Sequence, residues 1–146
     1  LRTERQDSRL RLYSEWTGEE SLFGGRPSMD LDITVPASLA VTNVETATGS
    51  VEIDGTRGDL EVSGSTGSVK LRNIDGDIDA STSTGSIDVV DVNGAVTASA
   101  STGSVEVRGP ERLSDIDTST GSIAVDVPTL DGDTDITAST GFYIGR

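Results

Sequence analysis

From Val44 onward apolar and polar side chains alternate one by one, and the alternation restarts after each of a series of evenly spaced glycines. Two positions apart lie Val51/Ile53, Val69/Leu71, Ile87/Val89, Val105/Val107 and Ile123/Val125, each pair placed two and four residues after a Thr-Gly step. Leu60/Val62, Ile78/Ala80, Val96/Ala98, Ser114/Ile116 and Thr134/Ile136 form a second series of such pairs. A period of two, filled largely by β-branched residues, predicts short strands that bury one face. A third apolar position precedes the intervening glycine, at Ile74, Val92 and Leu130.

The glycines set the spacing. Gly49, Gly67, Gly85, Gly103, Gly121 and Gly141 follow one another at steps of 18, 18, 18, 18 and 20 residues. Gly58, Gly76, Gly94 and Gly132 fall near the midpoints, and Arg112 takes the remaining one, so the finer period is nine. An unchanged register every 18 residues predicts successive coils stacked in parallel, about 4.8 Å apart. Eighteen is also three hexapeptides, but steps of six from Val51 reach Arg57 and Ser63. Two main strands per coil therefore fit better than a hexapeptide helix, and handedness is left open. The predicted fold is an all-β, single-stranded parallel β-solenoid over residues 36–146.

Residues 1–35 follow another pattern. Leu10, Leu12 and Trp16 share one parity, turn signals follow at 17–20 and 24–27, and Leu31, Ile33 and Val35 alternate again. This predicts an antiparallel pair or an irregular lead-in segment, packed on the first coils or capping them. No helix is expected.

Composition narrows the chemistry. The 146 residues include 11 Lys+Arg and 25 Asp+Glu, a net charge of −14, with no His and no Cys. Disulfides, imidazole bases, thiol nucleophiles and Cys/His zinc sites are excluded. So strong a negative charge argues against nucleic acid and anionic lipid as partners. No apolar run approaches a membrane span. Only Lys70 among the basic residues is not Arg. Abundant carboxylates with scarce Lys suit a chain hydrated in concentrated salt, so a halophilic source is expected. The first residue is Leu, which suggests a processed or trimmed chain. No Asn-x-Ser/Thr sequon accompanies Asn43, Asn73 or Asn93.

The run from Leu31-Asp-Ile-Thr-Val-Pro through repeated Thr-Gly-Ser-Val and Asp-Gly-Asp-Ile units resembles a widespread family of β-strand-repeat domains of unknown function labelled as adhesins. The resemblance covers roughly residues 30–146 and implies a parallel β-solenoid, commonly associated with the cell envelope. The plan is more distantly similar to bactofilins, whose solenoids polymerise end to end, although their repeat is less regular in Thr-Gly. Neither likeness carries over a functional residue.

Several surfaces are candidates for function. All five aromatics, Tyr13, Trp16, Phe23, Phe142 and Tyr143, lie outside residues 24–141. In a solenoid they fall near the two ends, as caps over open rungs or as docking faces for another subunit. Phe142 departs from the serine that otherwise follows the Thr-Gly step, at Ser50, Ser68, Ser86, Ser104 and Ser122. Glu61, Asp79, Thr97, Asp115 and Asp135 should stack as an outward ladder beside Asp59, Asp77 and Asp133. A solvated acidic face explains them better than an ion site, since neither an EF-hand loop nor a calcium-binding nonapeptide is present. Thr48, Thr66, Thr84, Thr102, Thr120 and Thr140 should stack too. An ice-binding array would pair them with threonines two residues earlier, but that position reads Thr46, Gly64, Thr82, Ala100, Thr118, Ala138. Hydroxyls bonded to corner backbone groups are the plainer expectation.

Catalysis finds no support: long loops are lacking, Lys70 is the one conceivable activating base for serine, and Phe23-Gly-Gly-Arg is no phosphate loop. No enzyme activity, cofactor or metal is expected. The leading expectation is a rigid acidic structural module that joins copies of itself end to end into filaments or arrays, at the surface of a salt-adapted cell. The alternatives are an adhesin-like module binding an envelope partner through its side-face ladders, and a cytoplasmic scaffold of the bactofilin kind.

Overall fold

The computed structural model describes residues 2–6, 9–13, 43–127 and 134–145. Those residues form twelve strands and no helix: β1 (Arg2–Gln6), β2 (Arg9–Tyr13), β3 (Asn43–Thr48), β4 (Val51–Asp54), β5 (Leu60–Thr66), β6 (Val69–Asp75), β7 (Ile78–Thr84), β8 (Ile87–Thr102), β9 (Val105–Thr120), β10 (Ile123–Asp126), β11 (Asp135–Ala138) and β12 (Phe142–Gly145). The strand anticipated around Leu10 and Leu12 is β2. Its antiparallel partner is β1, with Glu4 opposite Arg11; Leu31, Ile33, Val35 and Leu130 lie outside the described residues.

The other ten strands form a parallel β-solenoid of about five turns. Each coil has two arms. The first-arm rungs run β4, β6, the start of β8, the start of β9, β10 and β12. The second-arm rungs run β3, β5, β7, the end of β8, the end of β9 and β11. Val51, Val69 and Ile87 stand in one column, continued by Val105 and Ile123. Six rungs at about 4.8 Å place the first and last about 24 Å apart.

The core is made of such columns. Val69, Leu71, Ile74, Ile78 and Ala80 of one coil, and Ile87, Val89, Val92, Val96 and Ala98 of the next, are all buried in a single cluster. Burial weakens at both ends, where Val44, Val51 and Ile53, and then Ile136 and Ala138, are only partly covered.

Corner chemistry explains the glycines. A Cβ on Gly67, Gly85, Gly103 or Gly121 would fall within 2 Å of the carbonyl oxygen of the glycine one coil earlier. Stacked corners come too close for any side chain. Between the arms the backbone also turns through left-handed residues, at Gly55, Asn73, Asp91 and Gly109 (φ 74°, 53°, 54° and 60°). Asn and Asp are the non-glycine residues that tolerate this best.

Among the described residues the pairing departs from a strict 18-residue template, and β9 pairs β11 at an offset of 20. Arg112 does not hold the Gly94 place but pairs with Ala95, because one residue is lost from that corner. The residue returns as a bulge after Leu113, so Leu113, not Ser114, fills the buried column above Val96. The last corner is also one residue short. Phe142 therefore pairs with Ile123, at the register position of the core column, instead of continuing the serine column.

Candidate interaction surfaces

The two arms present different outer faces. On the second arm Asn43, Glu61, Asp79, Thr97, Asp115 and Asp135 stack in register, the acidic ladder expected from the repeat. Beside it runs Glu45, Ser63, Ser81, Ser99, Asp117 and Thr137. Neither column contains Lys or Arg. The first arm instead mixes signs. Glu52, Lys70, Asp88 and Glu106 share one column, and Asp54, Arg72, Val90, Arg108 and Asp126 the other. Arg72 lies 3.5 Å from Glu52, and Arg108 reaches both Asp88 and Glu106.

Several carboxylates are occupied structurally. Asp59 accepts from the backbone N–H of Asp77 at 3.2 Å, and Asp77 from that of Ala95 at 2.8 Å. Each secures the equivalent corner of the next coil. Asn73 donates to Asp54 at 2.7 Å and Asn93 to Asp75 at 2.9 Å. In both cases an amide on one coil holds a carboxylate on the preceding coil. Asn43, on the first second-arm rung, donates instead to Glu61 of the following coil, at 3.4 Å. Among the described residues no group of three or more acidic residues is arranged to hold a metal ion, and no helix is long and apolar enough to cross a membrane.

The threonines at and just before the Thr-Gly steps divide into two populations. Thr48, Thr66, Thr84, Thr102 and Thr120 form an exposed column beside the glycine corner. Their hydroxyls were expected to serve the corner, and Thr140 does so, bonding the N–H and the carbonyl of Gly121. Elsewhere backbone bonds between coils do it, as when the Gly67 N–H donates to the Thr84 carbonyl at 2.9 Å. The other column, Thr46, Gly64, Thr82, Ala100, Thr118 and Ala138, lines the interior: Thr82 is 5% exposed and Thr118 fully buried. The two sets do not share a flat outer face, which removes the geometry an ice-binding array needs.

That interior column follows a rule of its own. Threonine alternates with Gly or Ala on every rung. A Cβ at Gly64 would already lie 3.6 Å from both Thr46 Cγ2 and Thr82 Oγ1. A methyl at that position makes ordinary van der Waals contact with the threonines on both sides. The alternation was visible in the sequence, but only the inward orientation gives it meaning.

Of the five aromatics, Phe142 and Tyr143 belong to β12, the last first-arm rung, and Tyr13 is the final residue of β2. Trp16 and Phe23 lie outside the described residues. Compared with family models, curated proteins and solved structures, the chain finds no significant match in any of the three. The fold and the surfaces alone therefore define its class, a parallel β-solenoid.

Proposed function

We propose that this chain is a non-enzymatic structural protein: a rigid, acidic rod that joins copies of itself end to end, at the surface of a salt-adapted cell. The supporting observation is the contrast along the core columns. Interior rungs bury their apolar residues almost completely, whereas Val44, Val51 and Ile53 at one end and Ile136 and Ala138 at the other are left partly covered. A parallel rung also offers a row of N–H and C=O groups suited to pairing with another rung.

Sedimentation at rising protein concentration and rising salt tests this. Particles several subunits long are expected, visible as rods by electron microscopy. A species that stays monomeric throughout would refute assembly. Phe142→Asp combined with Tyr143→Asp should shorten the rods while the monomer keeps its β-sheet circular dichroism.

The two second-arm columns that lack Lys and Arg favour a second reading, a monomeric adhesin-like module that binds a partner there. In that case Asp79→Ala with Asp115→Ala abolishes binding to an envelope extract, and changes at Phe142 and Tyr143 do not.

A further inference from the structure

We infer that the partner at each end is a second copy in head-to-tail orientation, its first rungs β3 and β4 continuing the last rungs β11 and β12. This rests on the end-to-end reading above and adds to it the polarity and register of the contact.

The interior and acidic columns support that polarity, and the core columns are compatible with it. The interior alternating column begins with Thr46 and ends with Ala138. Placing one copy's Ala138 beneath the next copy's Thr46 preserves the succession of branched and small residues across the junction. A two-fold junction would turn β3 antiparallel to its own copy and break the succession.

The acidic column runs from Asn43 to Asp135. In a head-to-tail stack Asp135 meets an amide instead of a carboxylate. Asn73 and Asn93 each hold a carboxylate of the preceding coil. For Asn43 the preceding coil is the neighbouring copy, and an Asn side chain has a second N–H to offer beyond the one directed at Glu61.

The core columns also continue. Ile136 would precede Val44, and by register Phe142 and Ile144 precede Val51 and Ile53. One apolar position follows another at each step, so the partly covered residues of both ends become interior.

The chain has no cysteine, so engineered pairs report the contact without background. Adjacent rungs bring matched Cα atoms to about 5 Å, within disulfide range. N43C and D135C are introduced singly and together; both sites are exposed. Under oxidation at high salt the double variant should form a ladder of covalent dimers, trimers and higher species. Equimolar single variants should give mixed dimers, and neither single variant should dimerise alone. Self-dimers of N43C alone or of D135C alone would overturn the polarity while leaving end-to-end assembly standing. Rods in sedimentation without any cross-link would overturn the register. A protein monomeric under every condition would overturn the assembly reading itself.

Discussion

At the scale of single residues the corners carry the tightest constraints. Gly85 has φ +150°, and a Cβ there would lie 1.7 Å from the Gly67 carbonyl oxygen. Gly85→Ala must therefore separate two coils as well as strain its own backbone. We expect a loss of about 3 kcal/mol or more in chemical denaturation. Gly49 has φ +134° with no atom nearer than 3.9 Å, so Gly49→Ala suffers only the backbone strain and should cost clearly less. The left-handed corner is more permissive. Asp91 at φ 54° should accept glycine with little change, whereas Asp91→Val should cost about 1–2 kcal/mol, because a branched Cβ opposes that conformation.

Strand columns govern the next scale. Ala100 lies between Thr82 and Thr118 on adjacent rungs. Ala100→Thr would set three threonines in succession inside the rod, and a loss of about 1–3 kcal/mol is expected from overpacking. Ser83→Thr, at an exposed position of the same arm, is the control and should be nearly neutral. On the outer face Glu61 and Asp79 pair directly. Like charges opposite one another destabilise a ladder, so Asp79→Asn should raise stability by about 0.2–1 kcal/mol at low ionic strength. In 1 M NaCl, where the screening length falls to about 3 Å, that gain should largely vanish.

For the molecule as a whole, charge sets the conditions of stability. A net −14 is self-repelling, and the second-arm columns place much of it on successive rungs. Screening should raise the urea midpoint between about 0.1 and 1 M NaCl. It should also promote assembly, because every added copy brings the same charge. A midpoint that falls with salt would argue that ion pairs such as Arg72–Glu52 outweigh the repulsion.

Much of this organisation was legible along the chain. Glycine recurrence and a period of two are local signals, and they named the columns Val51–Val69–Ile87 and Glu61–Asp79–Thr97–Asp115–Asp135 as the backbone pairs them. What escaped were the irregularities. Counting residues put Arg112 at a corner and Ser114 in the core, whereas one lost and one regained residue moved Leu113 inward. A shortened last corner likewise moved Phe142 from the serine register to that of Ile123. An offset of one residue reverses the face of a strand and leaves the composition of the repeat unchanged.

The amino-acid sequence by itself determined that the chain coils every 18 residues, because apolar alternation and repeated glycines permit only stacked strands with close corners. Tertiary structure alone decided which threonines face inward, where the register slips, and how rungs end at each tip. Those outcomes depend on contacts between residues a full coil apart, where the room left by one rung determines what the next can hold.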